Sequence, residues 1–144
     1  MTHEDKGHFG KKHPPEQELD KDIKNKLKGY ISKGEVSCAA AHRIATELSV
    51  PPSEVGTAVD LLELSIVSCQ LGLYGYRPEK KIVKPAEEVP DELEKLIRQS
   101  RVNGKIPCRE VWRIASEKGL KKMDVSAACD KIGVKIKPCQ LGAF

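Results

Sequence analysis

Aromatic side chains are scarce: one Trp, three Tyr and two Phe make up 4% of 144 residues. A core must therefore be assembled from Leu, Ile, Val and Ala. Long apolar runs are also missing, and nothing approaches the roughly 18 residues that a membrane-spanning helix needs. The first residues are too polar for a secretory signal, so the expectation is a cytoplasmic protein with no membrane segment. No sign of charge dominates, because 25 Lys and Arg stand against 21 Asp and Glu for a net +4. That is mild beside a dedicated nucleic-acid binder. The chain carries no phosphate loop, no Gly-x-Gly-x-x-Gly, no nucleophile elbow and no His-Glu-x-x-His. Its four histidines, His3, His8, His13 and His42, have no partnered carboxylate or nucleophile at a recognisable spacing. Catalysis is not expected. Five cysteines in a cytoplasmic chain argue against a disulfide scaffold, and none belongs to a C-x-x-C pair.

What the chain does contain is its own duplicate. A shift of 70 positions lays Cys38-Ala-Ala-Ala-His-Arg-Ile-Ala over Cys108-Arg-Glu-Val-Trp-Arg-Ile-Ala, and Cys69-Gln-Leu-Gly over Cys139-Gln-Leu-Gly. Between Gly34 and Tyr74 the alignment needs no gap, and 14 of 41 positions are identical.

Each repeat reads as three helices and a strand. Leu19, Ile23, Leu27 and Ile31 recur every four residues as one helical stripe that Gly34 can end. Ser37 is an N-cap for a second helix through Leu48, with Ala41, Ile44, Ala45 and Leu48 facing inward. After the break at Val50-Pro51-Pro52, a third helix to about Leu64 faces in with Val55, Ala58, Val59 and Leu62. A strand over 65–71 closes the repeat. The second repeat follows suit, with Leu93, Leu96 and Ile97, then Val111, Ile114 and Ala115, then Val125, Ala128, Cys129 and Ile132, and a strand over 134–141. The expected organisation is a flexible tail at 1–16, a first repeat at 17–74, a linker at 75–90 and a second repeat at 91–144. One strand per repeat leaves an edge open, so the two strands are expected to pair with each other across a pseudo-twofold axis. The fold class is mainly α with short β-strands.

A helix, a short turn at Ser49-Val50-Pro51, a second helix and a following strand resemble the helix-turn-helix domain of winged-helix type. The likeness covers about 40 residues in each half and names no particular family. It implies DNA binding, with the third helix of a repeat in the major groove.

Charge separates the repeats. Residues 19–73 hold 6 basic and 7 acidic side chains, whereas residues 89–144 hold 12 and 7. The second repeat is thus net +5. Its Arg98, Arg101, Lys105, Arg109, Lys121, Lys122, Lys131, Lys135 and Lys137 are the candidates for phosphate contact, against the alternative of a solvated surface. Arg43 with Asp60, and Arg113 with Asp130, recur at one spacing and are expected to be ion pairs between the second and third helices. Cys38 and Cys69 are 31 residues apart, as are Cys108 and Cys139. The four thiols are candidates for a zinc site, for redox chemistry, or for packing as small hydrophobes. Cys129 aligns with Val59 and reads as core.

The leading expectation is a small nucleic-acid-binding regulatory or accessory protein, acting on DNA through the second repeat. Its rival is a protein-interaction or metal- and redox-sensing module on the same scaffold. No cofactor is expected unless zinc binds, the N-terminal tail is a candidate contact for a protein partner, and the chain is read as a monomer or homodimer.

Overall fold

A computed structural model describes residues 19–143; the expected tail at 1–16 lies outside them. Six helices and two short strands follow in the order α1 (Lys21–Lys28), β1 (Glu35–Ser37), α2 (Cys38–Leu48), α3 (Pro52–Leu61), β2 (Ser65–Val67), α4 (Asp91–Gln99), α5 (Cys108–Lys118) and α6 (Lys122–Ile132). The protein is mainly helical, with one small parallel sheet.

The chain divides into two compact units whose limits cut across the sequence repeats. One gathers the residues up to Cys69 together with the stretch from Gln140; the other runs from Gln70 to Cys139. The chain therefore crosses between units twice, each time immediately before a Gln-Leu-Gly.

In the first unit, the Asp20 carboxylate caps α1 by accepting from the amides of Asp22 (2.9 Å) and Ile23 (3.0 Å). The helix ends at Lys28, short of the expected Ile31. Lys33 and Gly34 follow with φ of 52° and 74°, and Ser32 and Glu35 bridge across them. This is a two-residue reversal, and positive φ at both central positions forbids continuing the helix. It feeds β1, a strand absent from the sequence reading. Ser37 then caps α2, its Oγ accepting from the Ala40 amide at 3.1 Å. The three helices pack on one another around Ile23, Leu27, Ile44, Val55 and Val59, each at most 1% exposed. Burying each such aliphatic side chain is worth about 1.5–3 kcal/mol.

The strand β2 pairs in parallel with β1, in the register Glu35↔Ser65, Val36↔Ile66, Ser37↔Val67. The expected pairing of strands between the repeats is therefore incorrect. The open edge of β2 is met inside its own unit by β1, and the strand stops at Val67 because Ser68 turns into positive φ (55°).

The segment 140–143 completes this unit. Leu141 is 2% exposed and Ala143 is 9% exposed. The Leu141 main chain rides directly on α3 at Gly56. A Cβ there would lie 2.8 Å from the Leu141 carbonyl carbon and closer still to its oxygen. Only glycine admits that approach.

In the second unit, α4, α5 and α6 pack around Ile97, Val111, Ile114 and Val125, all inaccessible to solvent. Asn103 and Gly104 form the reversal at φ 54° and 80°, and Gly119 and Gly133 end α5 and α6 in the left-handed conformation. The expected strand over 134–141 is only a single parallel bridge between Ile106 and Ile136. Residues 75–90 contain no helix or strand, yet they are packed into this unit. Val83 is 6% exposed, the Ile82 and Val83 amides donate to the Gly72 carbonyl (2.9 and 3.1 Å), and Ala86 donates to Ala127 (3.0 Å). Leu71 is fully buried here.

Candidate nucleic-acid interface

The nine basic candidates fall into those the fold has engaged and those it has left to solvent. Arg98 is engaged. Its Nε meets Glu94 at 3.0 Å, four residues back on α4, and its guanidinium also reaches the Ile132 carbonyl at 3.4 Å. Arg101 donates from Nε to the Arg98 carbonyl at 3.0 Å, closing the end of α4. A shallow groove of about 490 Å³ beside them is lined by Asp91, Glu94, Lys95, Arg98, Gln99 and Arg101, so its charges are mixed.

Lys122, in the first turn of α6, sits over the Trp112 ring at 4.2 Å from the centroid. The two flank a recess of about 510 Å³ between α5 and α6, which Leu120, Lys121, Met123 and Gln70 also line. Lys131 is exposed in the last turn of α6, where a cation suits the helix dipole without any ligand. Lys121 is exposed at the N-cap of the same helix.

Lys105, Arg109, Lys135 and Lys137 are different. The Ile106 amide donates to the Lys135 carbonyl at 2.9 Å, and Lys137 donates back to Ile106 at 2.8 Å. These two bonds form a minimal parallel ribbon, with Lys105 one register position before the bridge and opposite Lys135. Side chains alternate along such backbone, so Ile106 turns inward, fully buried, while Lys105, Lys135 and Lys137 are exposed. Adjacent strands lie about 4.8 Å apart, and like charges facing each other there are destabilising. Just beyond the ribbon the Cys108 amide donates to the Pro138 carbonyl at 3.0 Å. That bond starts α5 beside the lysines and sets the exposed Arg109 in its first turn, against the helix dipole. None of these four cations makes an ion pair among the described residues.

The expected interhelix ion pairs do not form. Arg43 is exposed on α2 while Asp60 is 2% exposed on α3, and no ion pair joins the two. Arg113 is held along its own helix by Glu110 (2.6 Å) and Glu117 (3.0 Å), and it donates to the Ser100 hydroxyl at 3.1 Å. Those carboxylates raise its pKa further above the ordinary arginine value. Asp130 meets Lys81 at 3.5 Å. Local i,i+3 and i,i+4 spacing wins over the longer reach.

Cys38, Cys69, Cys108 and Cys129 are buried and Cys139 is half-buried. Burial pushes the Cys129 thiol up to about 12. Cys38 and Cys69 fall in the first unit, Cys108 and Cys139 in the second. Among the described residues no group of three or more His, Cys, Asp or Glu is arranged to hold a metal ion. His42 is half-buried, and no described helix is long and apolar enough to cross a membrane.

No protein-family model, curated protein or solved structure matches this chain. The local geometry has to carry the functional reading.

All four ribbon and α5 cations stand among the nine basic candidates, and composition alone does not rank them above the other five. A single strand over 134–141, paired across the repeats, does not bring Lys135 opposite Lys105. The one available signal was the Lys135-x-Lys137 alternation across from Lys105.

Proposed function

We propose that the protein is a small nucleic-acid-binding regulatory or accessory protein, acting on DNA, built from two duplicated helix-turn-helix units of winged-helix type. The observation that carries this reading is the set Lys105, Arg109, Lys135 and Lys137, gathered at one end of the second unit with no ion pair to any of them among the described residues. A fold gains nothing by holding like charges together in that way, whereas phosphates neutralise them and release counterions. The duplication is supported by helices α1 and α4, α2 and α5, and α3 and α6, whose first residues are each 70 apart, and by bridges Val36↔Ile66 and Ile106↔Ile136 at the same offset. The ribbon takes the place of a wing reduced to its root.

The rival reading, a metal-sensing or protein-interaction module, draws on the paired cysteines and the recess at Trp112. It has less support, because no described group of three ligands converges.

Fluorescence anisotropy with labelled duplex DNA tests the proposal. Binding at about 50 mM salt that weakens steeply by about 200 mM is the expected result. No binding with protein at tens of micromolar and about 50 mM salt would contradict it, since even non-specific contact shows there.

A further inference from the structure

Resting on that reading, we infer that the second unit grips the phosphate backbone of a duplex through the ribbon and the start of α5, and does not read bases through α6. The ligand is the regular polyphosphate surface of double-stranded nucleic acid, taken without regard to sequence.

Three observations lead there. First, six of the nine basic candidates make no ion pair or cation–π contact and no side-chain hydrogen bond among the described residues, and four of them gather at the ribbon and at Arg109, whereas Lys121 and Lys131 stand apart at the two ends of α6. Three of the four are lysines, which act as point charges toward phosphate rather than as the two-pronged donors that arginine offers to guanine. Second, α6 offers little to a base edge. Its exposed positions are Asp124 and Lys131, with Lys121 at its cap, and a carboxylate in the first turn repels phosphate. Lys122 is drawn over Trp112 instead. No Asn, Gln or Arg lies on α6, which leaves out the side chains that pair in two-pronged fashion with adenine or guanine. Third, single strands are normally held by stacking bases on exposed aromatic rings. None of the described aromatic residues is exposed, and one face of Trp112 is covered by Lys122.

The first unit lacks this charge. At the same repeat positions it carries Glu35, Ala39, Ser65 and Val67, which present one negative charge and no positive one.

Titrations of the full chain against short duplexes of unrelated sequence, repeated from about 50 to about 200 mM salt, test the inference. Four phosphate contacts predict a log–log salt slope of about −3.6. Affinity should stay within about threefold across sequences, and it should be weaker for a single strand of the same length. The triple variant K105Q/K135Q/K137Q, altered only at exposed positions, should bring the slope to about −1 and weaken binding at least tenfold. Its melting temperature should not fall. The variant K121Q/K131Q, which removes the exposed lysines of α6 and its cap, should lose less than threefold. The inference is overturned by a tenfold preference among duplexes, by a larger loss in the α6 variant, by tighter binding to single strands, or by tighter binding to phosphatidylserine vesicles. Failure to bind any duplex overturns the proposed function itself, so the two failures are told apart.

Discussion

Each of the two units holds three helices, their first residues 70 positions apart, and the units differ where their strands meet. In the first, the ribbon positions hold Glu35, Ser65 and Val67, and Ser37 begins α2 with a side-chain cap. In the second, the same positions hold Lys105, Lys135 and Lys137, and Pro107 stands at the cap without a side-chain bond. The buried positions barely change: Ile44 and Ile114, Val55 and Val125, and Ala58 and Ala128 each match and each lie within 2% of full burial. A packed interior tolerates few substitutions of volume, whereas a solvent-facing ribbon can exchange its charges at small cost to stability. Function is expected where the framework stays constant and the surface does not.

The comparison is broken most severely at the exchanged Gln-Leu-Gly segments. Leu141 belongs to the first unit although it is encoded at the end of the second repeat. Leu141→Ala should cost about 2–5 kcal/mol, read as a drop in the denaturation midpoint. Hydrogen exchange should localise the loosening to α3 in the first unit. If exchange rises only among residues 91–139, the segment does not belong where it has been placed.

A sharper contrast lies at one repeat position. Gly56 faces the Leu141 main chain, and its counterpart Ser126 is 1% exposed with a hydroxyl that finds no hydrogen-bond partner among the described residues. Gly56→Ala should destabilise by about 1–3 kcal/mol through overpacking. Ser126→Ala should be neutral or stabilising by about 1 kcal/mol, because it removes an unsatisfied buried group. Thermal melts of the two variants with opposite signs would establish that the units differ there; equal shifts would not.

Helix ends give a smaller effect. Ser49 and Glu63 take φ of 54° and 55° where the second unit has Gly119 and Gly133 at 65° and 75°. Glu63→Gly should gain about 0.5–1 kcal/mol by relieving left-handed strain, and Gly133→Glu should lose a similar amount. A Glu63→Gly variant with a lowered melting point would contradict this account.

The smallest effect concerns pH. The Cys129 thiol is raised from its ordinary 9.0 to about 12 by burial. A raised folded-state value favours the protonated form, so its contribution is fully present below about pH 9 and declines as the pH climbs toward about 12. Alkylation should accordingly label the half-buried Cys139 before Cys129 at pH 8, and stability should fall at strongly alkaline pH less in Cys129→Val than in the parent.

Much of the helical framework was legible in advance. The cap at Ser37, the start of α2 at Cys38, the stops at Gly119 and Gly133 and the inward faces of α2, α3, α5 and α6 all follow from capping chemistry and a 3.6-residue period. The strands were legible only in part: β2 falls inside the expected strand over 65–71, whereas β1 is three residues, too few to show an alternation, and follows a reversal hidden in Lys33-Gly34. The exchange of Leu71 and Leu141 could not be read either, since a repeat aligns the segments without saying which unit each completes. The ribbon cations were visible as charges but not as neighbours, and it is their adjacency that singles them out.

The most direct test of the central claim is a backbone amide chemical-shift map of the full chain with and without a saturating short duplex. The account predicts perturbations centred on 105–109 and 135–137, with the matching stretches 35–39 and 65–67 unmoved. Perturbations centred on α6, or of equal size in the first unit, would contradict it.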